Sequence, residues 1–239
     1  MIDISFLSLV WIFIPIVVVY WIYFKWSDDR VTIPYALTRM FLQLILIGYI
    51  LTYIFETKNF FLIMVILAVM LIVASVIAMR PVASKEKRLY YISFVAIAIG
   101  GVVTLIFVVG GVLDLELWYE PRFLIPLAGM IFSNSMNSVS IAAERFQVEF
   151  ARDAHYEEAR NRAYQASLIP NINSLFAVGV VSIPGMMTGQ ILGGVSPIIA
   201  VKYQILVMGM IIASSGISTA IYLKLIEPKC SHKRSMTKR

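Results

Sequence analysis

Along this chain apolar residues do not alternate with polar ones; they run on in unbroken blocks separated by short polar segments. Alternation over about ten residues marks a barrel strand, whereas a continuous apolar block of about 20 residues crosses a hydrocarbon core of about 30 Å as a helix. In lipid every backbone group must bond internally, which leaves helices as the reading. Seven blocks qualify: 4–24, 34–55, 60–79, 89–113, 123–143, 168–192 and 198–224. The pattern predicts an all-α polytopic membrane protein with seven transmembrane helices. It forms one membrane domain over 1–226, followed by a basic tail over 227–239. The first block has no basic residue before it, is too long for the apolar core of a signal peptide and lacks a small-residue cleavage site. It is therefore expected to remain as a transmembrane helix.

The basic residues give the blocks a direction. Alternate loops carry 16 Lys and Arg on one side and 2 on the other. By the positive-inside rule the N-terminus is outside and the C-terminus cytoplasmic, placing the chain in the cell membrane as a multi-pass protein. Trp21, Tyr23 and Trp26 at the inner end of the first block, and Trp118 and Tyr119 at an outer loop, sit where amphipathic rings favour the headgroup layer.

Composition narrows the classes. With 60% of residues apolar or aromatic and 14% charged, there is too little charge to cover a soluble core. The net charge of +6 is explained by the loop asymmetry and the tail, so it points to lipid rather than nucleic acid. All 14 acidic residues fall outside the blocks, and His155 and His232 lie in cytoplasmic segments. No Ser/His or His–metal centre can form within the bilayer, so an intramembrane enzyme is excluded. A retinal-binding seven-helix protein needs a lysine midway along the last span and an intramembrane carboxylate; Lys202 lies near the start of that span and no span carries a carboxylate. No GxxxxGK[ST] loop occurs, so any ATPase must be a separate chain. The single cysteine, Cys230, cannot form an internal disulfide.

Two segments carry the functional signal. ERFQVEFARDAHYEEARNRAYQAS, residues 144–167, has no Pro or Gly and reads as helix. Phe146, Phe150 and Ala154 recur on one face, with Arg145, Glu149, Arg152 and Glu157 around the remainder. It reads either as a solvated extension of the flanking spans or as a docking surface for a soluble partner. The stretch 168–208 packs Pro170, Pro184 and Pro197 with Gly179, Gly185, Gly189, Gly193 and Gly194. Pro184-Gly185 is expected to interrupt the sixth helix within the membrane. Interrupted helices build substrate sites in transporters, while Gly185 and Gly189 would equally serve close helix packing.

Individual residues keep two readings each. Arg39, in the second block, attracts an anionic substrate group or snorkels to the cytoplasmic face, and Lys202 has a similar escape at the outer face. Asn134, Asn137 and Ser138 line one face of a pathway or bond to neighbouring helices. Asn171 and Asn173 beside Pro170 are expected to cap the start of the sixth helix. Met130, Met136, Met186, Met187, Met208 and Met210 invite a soft-metal reading, but methionine is more often flexible packing, and thioethers suit Cu(I) better than iron. The metal ligands are left unassigned.

The sixth-span stretch resembles the FetB-type permeases of ABC transporters, associated with iron export in bacteria and with aluminium tolerance in plants. The matching motifs are LIP at 168–170, VGVVSIPGMMTG at 178–189, GGVSP at 193–197 and AVKYQI at 200–205, with weaker matches in RMFLQLILIGYIL at 39–51 and IPLAGMIFSNSMNSVS at 125–140. The resemblance implies a pore-forming homodimer working with two ATP-binding cassette subunits, which would hold the ATP and magnesium; no cofactor is expected on this chain. It implies ATP-driven export of a small solute, with iron, another metal and a sugar nucleotide as candidates. It also makes 144–167 the coupling segment, with Phe146, Phe150, Arg152, Asp153 and Glu157 facing the partner. The pathway candidates are Arg39, Asn134, Asn137, Pro184, Gly185, Met186, Met187 and Lys202. The alternative is a self-contained secondary transporter or channel, and a third reading is a membrane subunit that anchors or regulates a partner.

Overall fold

The structure, a computed structural model, describes residues 5, 8–57, 59–82, 84, 86–113, 117–152 and 155–236, with the side chains at 52, 56–57 and 228–236 left aside. Among the described residues a 3-10 turn at Ser8–Ile12 leads into eight α-helices. These are α1 (Phe13–Trp26), α2 (Thr32–Thr57), α3 (Phe60–Ala78), α4 (Lys87–Gly111), α5 (Pro121–Ala151), α6 (Tyr156–Ala177), α7 (Gly185–Leu192) and α8 (Pro197–Met236). They divide between two compact units, Met1–Thr57 and Lys58–Arg239.

In the first unit, α1 ends at Ser27 and a carboxylate starts the next helix. Asp29 Oδ1 accepts the backbone N–H of Val31 at 3.1 Å and of Thr32 at 3.0 Å, and its Oδ2 accepts the Thr32 hydroxyl. Those bonds, the Thr32 hydroxyl first, hold the Asp29 carboxyl below its ordinary pKa. Phe13 of α1 stacks on Phe41 of α2 with ring centroids 5.6 Å apart.

In the second unit α4, α5 and α8 pack on one another. α3 lies against α4 and α5, α6 lies against α5 and α8, and α7 packs on α8. The buried core includes Ile97 of α4, Ala128, Ile131 and Ala142 of α5, and Leu223 of α8. Asn59 caps α3 through its side-chain oxygen, which accepts from Phe61 N at 3.0 Å and Leu62 N at 3.3 Å. Small residues set the helix spacing. A Cβ on Gly100 would fall 2.2 Å from Ser218 Oγ and 2.8 Å from Ser218 N, so α4 and α8 touch backbone to backbone there. Its neighbour Gly101 turns the other way, where a Cβ would lie 2.7 Å from the Phe132 ring of α5. On α6, Ala159, Ala163 and Ser167 form a buried stripe at four-residue spacing, the small-residue pattern by which membrane helices approach closely.

Among the described residues five helices are long and apolar enough to cross a membrane: Ser8–Trp26, Thr32–Phe55, Phe60–Ala78, Lys87–Gly111 and Pro197–Glu227. Apolar side chains along them, such as Ile106, Phe107 and Ile205, are exposed, as side chains facing acyl chains must be. The expected fifth span, 123–143, lies within α5, whose Ser133, Asn134, Ser135, Asn137 and Ser138 lower its hydropathy. The expected sixth span differs in form. Instead of one helix over 168–192 broken at Pro184-Gly185, α6 ends at Ala177, a turn occupies 178–184, and α7 restarts at Gly185. The cause is Gly179, whose φ of +83° is left-handed, a conformation that costs about 1–2 kcal/mol in other residues. The Ala177 carbonyl then accepts from the N–H groups of Val180, Val181 and Ser182 at 2.8–3.3 Å, and Gly179 N–H donates to Ser182 O at 3.0 Å.

Two further expectations are corrected. The segment 144–167 is not one helix: α5 runs to Ala151 and α6 begins at Tyr156, so the segment folds into a hairpin. Asn171 and Asn173 do not cap a helix start, because α6 has been running since Tyr156; Pro170 sits inside it.

Candidate functional site

The α5–α6 hairpin is held by ions and rings. Glu149, at the end of α5, is 2% exposed and lies between two arginines. Arg145 Nη2 approaches its Oε1 at 2.7 Å, and Arg162 Nη1 of α6 approaches Oε2 at 2.8 Å. The other arm of the Arg162 guanidinium reaches Glu158 Oε1 at 2.6 Å, so one planar fork bridges a carboxylate from each helix. The Arg162 bond is the main cause that holds the Glu149 carboxyl below its ordinary pKa, against the opposing effect of burial. Beside this clasp Phe146 stacks on Phe150 with centroids 5.5 Å apart and meets Tyr156 edge-on at 5.8 Å. The Tyr156 hydroxyl donates to Leu223 O at 2.7 Å, tying the hairpin to α8.

The expected coupling residues are thus partly gathered. Phe146 is buried and Phe150 half-buried in the ring stack, Arg152 closes α5 as an exposed cap, and Glu157 is exposed in the first turn of α6. Asp153, with Ala154, lies outside the described residues. Of the residues that fasten the hairpin, Glu149 entered the sequence reading only as one of several charges around a helix, and Arg162 and Tyr156 were not singled out. The signals were Arg145 four residues before Glu149 and Glu158 four before Arg162, spacings that also fit a solvated helix face.

A cavity of about 370 Å³ opens beside the hairpin between α4, α5 and α8, with Glu86, Arg88 and Gln147 among its lining and Ile92, Phe146 and Tyr222 deeper. Toward the apolar part of the helices the polar groups are bonded locally. Asn134 Nδ2 donates to Met130 O at 2.8 Å within α5, and Asn171 Nδ2 of α6 donates to Ser138 Oγ of α5 at 3.2 Å. Asn137 is exposed. Pro184 caps α7, Gly185 opens it, and Met186 and Met187 follow in its first turn. Lys202 is exposed near the start of α8, on which α7 packs. Arg39 is half-buried on α2 in the first unit. Ser135 of the polar fifth span and, unforeseen in the sequence, Ser215, Ser218 and Thr219 of α8 are enclosed with no hydrogen-bond partner for the side chain among the described residues. Among the described residues no group of three His, Cys, Asp or Glu side chains is placed to hold a metal ion.

Residues 4–230 match the family described as Uncharacterised protein family (UPF0014). The chain is 34% identical over 212 residues to the UPF0014 membrane protein slr1647 of Synechocystis, covering 82% of each chain. It is 31% identical over 211 residues to the Escherichia coli protein named "Probable iron export permease protein FetB", covering 79% of this chain and 77% of that one. It is 33% identical over 207 residues to Protein ALUMINUM SENSITIVE 3 of Arabidopsis thaliana, covering 79% of this chain and 74% of the relative. No solved structure matches. Together with the five helices apolar enough to cross a membrane, these matches make this a multi-pass protein of the cell membrane. The chain belongs to the uncharacterised protein family UPF0014.

Proposed function

We propose that this chain is the permease subunit of an ATP-binding cassette transporter. It works as a homodimer with two ATPase subunits and exports a small solute, with the N-terminus outside and the C-terminus in the cytoplasm. The observation that carries the reading is the clasped hairpin. Its two arms are the ends of long helices, α5 of 31 residues and α6 of 22, that run away from the Glu149–Arg162 bridge. A partner that moves Phe146, Phe150, Arg152 or Glu157 moves both helices as one lever. At its far end α6 stops at the turn built on Gly179. That turn and α7 carry Pro184, Gly185, Met186 and Met187, which with Asn134, Asn137 and Lys202 form the proposed pathway set of the second unit, while Arg39 is a separate candidate in the first. Non-helical backbone at membrane depth is tolerated where protein or a water-filled cavity satisfies it, which suits a pathway. ATP and magnesium would be held by the partner, since this chain has no phosphate-binding loop.

The name of the Escherichia coli relative favours iron among the candidate solutes. Another metal and a sugar nucleotide are the competing cargoes. The thioethers of Met186 and Met187 suit a soft cation better than they suit iron. The test is purification from its own membranes in mild detergent, weighing any chain that travels with it. A stoichiometric ATPase carrying a Walker motif is the expected result. A chain that stays alone under several gentle conditions, yet moves solute in liposomes down an ion gradient, would make it a secondary transporter.

A further inference from the structure

The groove between α6 and α8 has a chemistry that the transport reading does not use. It encloses about 430 Å³ and is lined by Arg160, Asn161 and Tyr164 from α6 and by Ile221, Leu223 and Lys224, with Ala220, from α8. Two cations and a phenol thus stand over an aliphatic wall. The cations are available. Arg160 Nε and Nη2 lie 3.3 and 3.2 Å from Asn161 Oδ1, and its guanidinium stands 5.7 Å from the Tyr156 ring. That holds the fork in place while leaving other N–H groups of the five undirected. Among the described residues Lys224 forms no ion pair, and it is exposed. The acids on the same two helices are otherwise disposed: Glu158 is engaged by Arg162, and Glu157 and Glu227 are exposed. Tyr164 reaches across to α8, its hydroxyl so near Gly216 that a Cβ there would lie 3.2 Å away.

The depth of the groove decides what fills it. The apolar span of α8 closes at Glu227, three residues beyond Lys224, and α6 carries its charges in its first turns, with none after Arg162. The cations therefore lie in the headgroup layer, and Ala220 and Ile221, further along α8 toward its middle, lead into the hydrocarbon. Basic pockets between membrane helices at this depth hold lipid phosphates. We propose that the α6–α8 groove binds the phosphate of an anionic lipid headgroup through Arg160 and Lys224, with an acyl chain along Ala220, Ile221 and the Tyr164 ring. Bound there, the lipid bridges the coupling hairpin to α8 alongside the Tyr156–Leu223 bond.

The experiment is thermal melting of the full chain in phosphatidylcholine vesicles with and without phosphatidylglycerol, for the wild type and two charge-matched variants. Arg160→Gln/Lys224→Gln empties the groove of cations, while Lys233→Gln/Arg234→Gln removes the same charge from the tail. Phosphatidylglycerol at about a hundred times its dissociation constant is expected to raise the wild-type Tm by roughly 5–10 °C. The groove variant should lose that rise, the tail variant should keep it, and Arg160→Lys/Lys224→Arg should restore most of it. A third arm adds soluble glycerol phosphate without phosphatidylglycerol. An equal rise there would assign the site to a soluble phosphate and overturn the lipid. Equal loss in groove and tail variants would reduce the effect to general surface charge and overturn it too. So would a groove variant that keeps its lipid response but loses a co-purifying ATPase.

Discussion

Replacing Gly100 with alanine tests the packing on which the second unit is built. The added Cβ would lie 2.2 Å from Ser218 Oγ, 2.8 Å from Ser218 N and 3.1 Å from Ser218 Cα. The hydroxyl can rotate away, but the nitrogen and Cα are backbone of α8. To bring the nitrogen from 2.8 Å to the 3.4 Å where ordinary contact begins, the helices must separate by about 0.6 Å along a seam that is otherwise close-packed. Overpacking of this kind costs about 1–3 kcal/mol, and the better helix propensity of alanine returns about 0.5–1 kcal/mol. The net of about 1–2 kcal/mol corresponds to a fall in Tm of roughly 2–8 °C for a chain of this size. The control is Gly110→Ala on the same helix, where an added Cβ meets nothing within 4 Å. That variant should melt at or slightly above the wild-type temperature. Melting of both variants in one detergent, followed by tryptophan fluorescence, reads the difference. If Gly100→Ala melts with or above Gly110→Ala, α4 and α8 do not cross at Ser218 and the packing scheme is wrong.

Three further outcomes follow from named contacts. Glu149 has its pKa lowered in the folded state, so its contribution is fully present above the ordinary carboxyl value of 4.5 and is lost as pH falls from there through the folded value; Tm should be steady from pH 7 to about 5 and then fall, and Glu149→Gln should lower Tm at neutral pH and flatten that acid limb. Gly179→Ala places a side chain at φ +83° with no atom within 4 Å to obstruct it, so its cost is backbone strain alone, about 1–2 kcal/mol by chemical denaturation, and a variant as stable as wild type would place the turn elsewhere. Tyr156→Phe keeps the ring and removes the hydroxyl that donates to Leu223 O, and should cost about 0.5–1.5 kcal/mol while increasing amide exchange in the first turns of α6.

The sequence carried the helices further than it carried their contacts. The apolar blocks located the third and last spans to within a residue or two of α3 at Phe60 and α8 at Pro197, because Asn59 and Pro197 are local signals that need no partner. The sixth block was harder. Pro184-Gly185 signals a break in the helix, but α6 has already stopped at Ala177 before it; that earlier stop depends on Gly179 adopting a left-handed backbone, and a glycine in an apolar run equally suits helix packing. The hairpin in 144–167 left no Pro or Gly to announce it; its turn is stabilised by Glu149–Arg162 and by Phe146 against Tyr156, contacts that exist only once α6 folds back on α5. For the same reason Glu149 looked like one of several charges around a helix, and the Gly100–Ser218 crossing could not be read at all. Asn171 was legible as polar, but its partner, Ser138, lies on another helix.

The most direct test of the account is whether the chain, reconstituted with the proposed ATPase partner, exports solute, comparing wild type with Glu149→Gln. Liposomes carrying the complex with its nucleotide side outward are given ATP and a panel of metal ions and sugar nucleotides, and uptake is followed alongside hydrolysis. The account predicts uptake that requires ATP in the wild type. In Glu149→Gln, an ATPase that still co-purifies and still hydrolyses should drive little or no uptake, because the loosened hairpin no longer moves α5 and α6 together. Uptake driven by an ion gradient without ATP, or full ATP-driven uptake in Glu149→Gln, would contradict it.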